Sequence, residues 1–156
     1  LAAATGAEAA VGIDGVLERA PDVVIVATSH DALAESACRA LAAAAHVLVE
    51  KPAGRTVAEV DAIAAAAAAA GRLVKVGFNH RFHPGIARAI GEAREGLHGE
   101  LMYMRARYGH GGRLGYDREW RADPVVSGGG ELLDQGMHLL DLSHWLLGPL
   151  PLHSAL

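Results

Sequence analysis

Residues 22–54 read DVVIVATSHDALAESACRALAAAAHVLVEKPAG, two β-branched apolar runs separated by a segment of helical composition. The first run is continuous rather than alternating, which is typical of a strand buried on both faces of a parallel sheet. The second run, HVLVE, ends at an acid, a base and a proline in succession. Strand, helix and strand in this order predict a parallel β–α–β unit with a right-handed crossover.

The same pattern continues after the second strand. Thr56 and Glu59 have the spacing of a capping box, and the alanine-rich stretch that follows ends at Gly71, so we predict a helix there. The residues LVKVGF, at 73–78, predict a third strand. The expected fold class is therefore α/β, with a doubly wound parallel sheet.

Polar residues follow each of the three predicted strands, at Thr28–His30, Glu50–Pro52 and Asn79–Arg81. Ligands of such sheets bind beyond the carboxyl ends of the strands, so we expect these stretches on one rim. Pro52 is expected to fix its turn, for which a cis peptide bond is one means. On the residues alone, Glu50 and Lys51 also fit two solvated residues after a strand.

Composition excludes several classes of function. The 156 residues are 51% hydrophobic, enough for a packed core, and the formal net charge of -4 offers no basic field for nucleic acid. The one cysteine, Cys38, has no intramolecular partner, which favours a reducing cytoplasm. No apolar run approaches the roughly 20 residues that cross a bilayer, so we predict no membrane segment.

The character of the sequence changes after Pro84. GIARAIGEAREGL predicts a helix, and LMYMRARYG, at 101–109, alternates as a strand of an antiparallel or half-exposed sheet does. We therefore place a domain change near residues 97–100. The glycine-rich residues 109–130 are expected to form a ligand-side loop.

The stretch ELLDQGMHLLDLSHWLLG, at 131–148, predicts a largely buried helix. Four residues share one face at i, i+4, i+7 and i+11, namely Asp134, His138, Asp141 and Trp145. A carboxylate and an imidazole on a buried helix need partners or a chemical task.

The residue types of Asp134 and His138 also fit two roles that involve no proton transfer. They can form a local hydrogen-bonded pair that only fixes helix packing. They can also ligate a metal together with His110 or His144, although no fixed spacing supplies a third and a fourth ligand, so we predict no metal.

VEKPAG, GFNHRFHP and WRADPVVSGGGELLDQGMHLLDL together resemble the Gfo/Idh/MocA family of NAD(P)-dependent sugar and polyol oxidoreductases. The resemblance covers nearly the whole chain. It implies a Rossmann-type sheet followed by an α+β domain, NAD or NADP as cofactor, and a sugar, inositol or related polyol as substrate. It also implies hydride transfer between that substrate and the nicotinamide.

The resemblance assigns three catalytic residues. Lys51 matches the lysine of the EKP motif and is expected to stabilise alkoxide character on the reacting oxygen. His138 is expected to be the general acid/base, and Asp134 to orient the substrate or the imidazole.

The residues that the resemblance places near the cofactor, or near cofactor and substrate, are Thr28, Ser29, His30, Glu50, Lys51, Pro52, Asn79, Arg81, Trp120 and Arg121. One stretch departs from the family pattern, because relatives commonly have Thr, Pro, Asn and a nearby His where this chain has Thr28, Ser29, His30 and Asp31.

The resemblance further implies an internal segment of a longer protein. Residues 1–97 would be a partial NAD(P)-binding Rossmann domain without its first strands and GxGxxG turn. Residues 98–156 would begin a truncated α+β domain for substrate binding and homo-oligomer contacts. We expect the segment alone neither to bind dinucleotide well nor to turn over, because a main phosphate anchor is missing.

Two further functions fit the same resemblance. One is NAD-dependent glycoside cleavage, in which the sugar is transiently oxidised. The other is a sugar- or dinucleotide-sensing regulator without catalysis. Lys51, Asp134 and His138 argue against the regulator, since sensing requires no proton transfer.

Overall fold

In the computed structural model, which describes residues 2–109 and 112–151, three short strands pair in parallel in the order β1 (Val23–Val26), β2 (His46–Val49) and β3 (Val74–Val76). The register pairs Val26 with Val49 and Val49 with Val76, so the carboxyl ends of the strands are aligned. The parallel α/β sheet expected from the sequence is confirmed.

Among the described residues, the helices that accompany these strands are α1 (Ala2–Thr5), α2 (Gly12–Leu17), α3 (His30–Ala42) and α4 (Val57–Ala70). Helix α4 begins and ends as predicted, since the Thr56 side chain accepts a hydrogen bond from the Glu59 N–H and Gly71 ends the helix in the left-handed conformation. Helices α3 and α4 therefore form the crossovers that keep the strands parallel.

One apolar core lies between the sheet and helices α3 and α4. It contains Val24, Val26, Val47 and Val49 from the strands and Leu33, Leu41 and Ile63 from the helices, among others. The expectation that β1 is buried on both faces is wrong, because Val23 and Ile25 are 58% and 69% exposed. Both helices cover the same face, so the alternate side chains of β1 stay exposed among the described residues.

The chain divides into two compact units, Leu1–Gly77 and Phe78–Leu156. The domain boundary that the sequence predicts near residues 97–100 lies inside the second unit and stays a prediction. Among the residues that the structure describes, none of the helices has the length and apolar character needed to cross a membrane.

Helices and turns make up the described secondary structure of the second unit. The α-helices are α5 (Pro84–Arg94), α6 (Pro124–Ser127) and α7 (Met137–Leu147), and 3-10 turns span Asn79–Phe82, Tyr116–Arg118 and Trp120–Ala122. A π-helical turn, Leu132–Gly136, runs directly into α7. The predicted helix over 131–148 is thus confirmed, with a local widening that the sequence pattern did not indicate. The expectation that this helix is largely buried is wrong, because Leu132, Leu140 and Leu147 are 71%, 49% and 40% exposed.

The alternating stretch 101–108 does not form a strand, contrary to expectation. A strand is stabilised by a neighbouring strand that pairs with its backbone, and no described residues of the second unit supply one. The large side chains Met102 and Tyr103 are 83% and 80% exposed.

Candidate active site

The turn after β2 presents Lys51 at the carboxyl end of the sheet. The Glu50 N–H donates to the Val26 carbonyl at 2.9 Å, so the parallel ladder continues one residue past the strand. The Lys51–Pro52 peptide bond is cis, the geometry that the sequence suggested. Pro52 and Ala53 are buried and Lys51 is half-buried, so a packed turn carries the lysine.

Glu50 is held beside the end of β3. Its Oε2 accepts a hydrogen bond from the Lys51 N–H at 3.2 Å, and the Gly77 N–H donates to the Val49 carbonyl at 2.8 Å. A Cβ on Gly77 would lie 3.3 Å from Glu50 Oε1 and 3.5 Å from its Cα. The absence of a side chain at Gly77 therefore leaves room for the Glu50 side chain.

The residues after β1 form a second polar group in the first unit. The Thr28 hydroxyl donates to the Ser29 carbonyl at 3.2 Å, and the Ser29 hydroxyl donates to Asp31 Oδ1 at 2.6 Å. His30 begins α3 and is 3% exposed. The two hydroxyls thus lie near the surface at the strand end, whereas the imidazole is inside the fold.

Asp134 and His138 are both buried, at 3% and 6% exposure, as the helical pattern predicted. Arg121 Nε lies 3.4 Å from Asp134 Oδ2, and Gln135 Nε2 donates to the same oxygen at 3.4 Å. The Arg121 guanidinium also lies 4.4 Å from the centroid of the Trp120 ring. The predicted residues Trp120, Arg121 and Asp134 are therefore brought together.

Aromatic rings surround His138. The His80 ring stacks on it, with centroids 3.9 Å apart and planes inclined by 18°. Tyr108 lies 6.1 Å away in a tilted arrangement, and Phe78 meets the ring edge-on at 6.3 Å. The imidazole is thus packed by flat side chains on the buried side of α7.

Arg81 binds α7 through Asp141. Its Nε and Nη2 donate to the two carboxylate oxygens at 2.8 and 2.5 Å, and the Asp141 side chain is 6% exposed. This hydrogen bonding raises the pKa of Arg81 above its ordinary value, so the guanidinium stays charged. Trp145 lies beside it, with its ring centroid 5.6 Å from the guanidinium carbon.

A cavity of about 520 Å³ opens within the second unit, lined by Tyr108, Tyr116, Glu131, Gln135, Gly136, Leu139 and neighbouring residues. Its volume is in the range of about 300–1,000 Å³ that small-molecule sites occupy. The Tyr116 hydroxyl donates to Glu131 Oε1 at 3.0 Å, and burial, reinforced by that carboxylate, raises the pKa of Tyr116. Tyr108 contributes both to this cavity and to the surroundings of His138.

Sequence reasoning missed three features of this arrangement. His80 lies between Asn79 and Arg81 in the stretch GFNHRFHP, where the resemblance points only to its two neighbours. Tyr108 falls in the stretch predicted as a strand, and the helical pattern gives Asp141 a face but no partner. The position of His80 between two predicted site residues could have marked it as a site residue. The pairing of Asp141 with Arg81 depends on tertiary structure and has no such signal in the sequence.

Comparison with known proteins matches both halves of the chain to family models. Residues 1–78 match the GFO_IDH_MocA model, described as an oxidoreductase family with an NAD-binding Rossmann fold. Residues 87–154 match the model of the GFO/IDH/MocA C-terminal domain.

The chain belongs to the GFO/IDH/MocA family.

Relatives include levoglucosan dehydrogenase of Pseudarthrobacter phenanthrenivorans, 31% identical over 81% of this chain and 33% of its own length. D-glucoside 3-dehydrogenase of Escherichia coli is 31% identical over 82% of this chain and 36% of its own length. The structure of an inositol dehydrogenase homolog complexed with NAD+ from Azotobacter vinelandii is 26% identical, with a TM-score of 0.80 over 94% of this chain and 42% of that one. This GFO/IDH/MocA chain thus spans about a third to two fifths of the length of these proteins.

The residues of the first unit fit a nicotinamide cofactor in their chemistry. GFO/IDH/MocA members of the matched model bind NAD on a Rossmann fold. Here an ammonium and two hydroxyls, from Lys51, Thr28 and Ser29, follow two adjacent parallel strands at their carboxyl ends. Such donors and acceptors suit a ribose and a carboxamide.

Among residues 2–109 and 112–151, no three His, Cys, Asp or Glu side chains are grouped to hold a metal ion. His110, one of the alternative ligands considered from the sequence, lies outside the described residues. His144 is exposed at the end of α7.

Proposed function

We propose that the whole protein is an NAD(P)-dependent oxidoreductase that transfers a hydride between a sugar, inositol or related polyol and the nicotinamide. The observation that carries the proposal is that a GFO/IDH/MocA chain buries both Asp134, in the π-helical turn, and His138, in the helix α7 that continues it. Burying a carboxylate and an imidazole costs free energy, which favours a task at this position.

Three side chains have proposed roles in the reaction. His138 takes the proton of the substrate hydroxyl during oxidation and returns it during reduction. Lys51 donates a hydrogen bond to the reacting oxygen as it gains negative charge. Asp134, itself held by Arg121, orients the substrate or the imidazole. When bound, the nicotinamide supplies the acceptor and donor of the hydride at C4.

The proposed cofactor is NAD or NADP, contacted by the predicted residues after β1 and β2 and by Asn79, Arg81, Trp120 and Arg121. Support comes from the NAD-binding family model over residues 1–78 and from the NAD+ complex of the Azotobacter homolog. Because the guanidinium of Arg81 also binds Asp141, the proposed role of Arg81 is to shape the cofactor site.

The proposed substrate class rests on relatives that are named dehydrogenases of levoglucosan and of D-glucosides. The cavity beside Tyr108 offers polar groups from Glu131 and Gln135 together with an apolar wall, which suits a polyhydroxylated ring. We also retain, as proposals, a homo-oligomeric cytoplasmic protein without nucleic-acid partners and a domain division into residues 1–97 and 98–156.

An absorbance assay at the nicotinamide band tests the function. The whole protein is incubated with NAD or NADP and a panel of sugars, inositols and their oxidised forms. We expect reduction of one cofactor with at least one polyol, and its loss in His138→Asn. Bound dinucleotide with no turnover across the panel would contradict the proposal, and cleavage of aryl glycosides in its place would identify a glycosidase.

A further inference from the structure

We infer that His80 is a positioning residue for His138, and that it acts through the stacked face of its ring rather than by carrying a proton. The inference rests on the proposed role of His138 as the general acid/base. Its structural basis is the parallel contact of the two imidazoles, 3.9 Å between centroids.

The backbone that carries His80 is fixed to the helix that carries His138. His80 lies in the 3-10 turn Asn79–Phe82, and the next residue, Arg81, binds Asp141 through two hydrogen bonds. Asp141 and His138 are both on α7, one turn apart. The 3-10 turn therefore meets α7 at two adjacent points, one an ion pair and one a ring stack.

The His80 ring contacts the face of the His138 ring and not its edge. The two ring nitrogens accept and donate in the plane of the imidazole, whereas His80 covers a face of that ring. A covered face limits rotation about the side-chain torsion, which is otherwise broad for histidine. The contact thus suits orientation of the proton-transfer edge and does not itself provide a route for the proton.

Tyr108 completes the arrangement as a third ring. It lies 5.3 Å from His80 and 6.1 Å from His138, both by ring centroids. His80 is half-buried and His138 buried, so the stack is packed rather than solvated. Loss of the His80 ring would leave a gap beside His138 that side-chain rotation can fill.

The test compares three substitutions in the whole protein. His80→Ala removes the ring, His80→Phe keeps a flat ring without a titratable nitrogen, and His83→Ala removes an exposed histidine of the same stretch. We expect His80→Ala to lower kcat about 10- to 100-fold with KM within about twofold, because misplacing a catalytic group has effects of that size. His80→Phe should retain kcat within about threefold, and His83→Ala should match the wild type.

A second readout does not depend on turnover. In protein labelled with ¹³C-histidine, the ring signal of His138, assigned by its absence in His138→Asn, should carry a ring-current shift from His80. His80→Ala should abolish that shift and His80→Phe should retain one. If His80→Ala does not fold, His80→Gln replaces it in both measurements.

Two results would overturn the inference. One is a kcat in His80→Phe as low as in His80→Ala, which would give His80 a role in proton transfer. The other is an unchanged His138 ring signal in His80→Ala. If no substrate in the panel is oxidised, the proposed function fails, and the ring signal alone then decides whether His80 positions His138.

Discussion

Asp141 is the acidic side chain through which α7 pairs with Arg81 of the 3-10 turn. Its carboxylate is 6% exposed and pairs with an Arg81 guanidinium that is 39% exposed. Removing one partner of a fully buried pair costs about 3–5 kcal/mol, because the other charge is left without compensation. The exposure of Arg81 admits water, which reduces that cost.

We predict that Asp141→Asn lowers the free energy of unfolding by about 1–3 kcal/mol. Urea unfolding of the whole protein measures this. Glu8→Gln is the matched control, since Glu8 pairs with Arg19 on the surface, where both side chains are largely exposed. Equal effects of the two substitutions would show that the Arg81 pair is no more than a surface contact.

Glu59 gives the first turn of α4 a dependence on pH. Desolvation by itself raises the pKa of Glu59, but hydrogen bonds from Arg55 and the backbone N–H of Thr56 outweigh it and hold the pKa below its ordinary value. The stabilisation is therefore present above the unfolded pKa of about 4.3 and is lost as the pH falls through the lower, folded pKa.

We predict that Glu59→Gln destabilises the protein at pH 7 and that its difference from the wild type shrinks as the pH falls below about 4. Thermal midpoints between pH 7 and about pH 3 measure this. Glu18→Gln, which alters an exposed carboxylate of the same unit, is the control. A difference in thermal midpoint that grows on acidification would contradict the lowered pKa of Glu59 in the folded protein.

At the level of helices, two glycines with equal space around them should respond oppositely to alanine. Gly71 ends α4 at φ +61°, and Gly91 lies within α5; no atom comes within 4 Å of a Cβ built on either. We predict that Gly71→Ala destabilises by about 1 kcal/mol, the cost of a left-handed side-chain residue. Gly91→Ala should stabilise by about 0.5–1 kcal/mol, the propensity difference in a helix interior.

Thermal midpoints of the two glycine variants in one buffer decide this prediction. Opposite shifts of the thermal midpoint support the prediction, because the two glycines have equal space for a Cβ and differ in backbone conformation. Shifts of the same sign would show that propensity and left-handed strain do not govern these two positions.

The three strands and helices α3 and α4 of the first unit were predictable because their signals are local. Continuous Val and Ile runs, the Thr56 cap and Gly71 each specify one element boundary within a few residues of sequence. The stretch 101–108 has a strand pattern just as clear, but strand formation depends on a partner that no local pattern reveals. Exposure of Val23 and Ile25 likewise depends on which face the helices cover.

The candidate site likewise contains residues that the local sequence pattern predicts and contacts that it does not predict. Asp134 and His138 could be found from helical spacing, and Lys51 from its position after a buried strand. The stack of His80 on His138 joins residues far apart in sequence, so only tertiary structure brings it out. Resemblance to a family added the roles of these residues, which spacing alone left open.

At the scale of the whole molecule, the proposed catalytic residues come from both compact units. Lys51 belongs to the unit matched by the NAD-binding family model, whereas Asp134 and His138 belong to the part matched by the C-terminal domain model. The proposed mechanism therefore draws residues from both units. Loss of either contribution should impair turnover without unfolding the protein.

The most direct test of the hydride-transfer mechanism measures steady-state kcat and the thermal midpoint together. The samples are the whole wild-type protein, Lys51→Ala, His138→Asn and the exposed control Arg72→Ala. We predict that the Lys51 and His138 variants each lose about 100-fold or more in kcat, as removal of an acid/base or oxyanion-stabilising group does. Their midpoints should stay close to those of the wild type and of Arg72→Ala. Retained turnover, or activity lost only in proportion to lost folded protein, would contradict the mechanism and leave these residues a structural role.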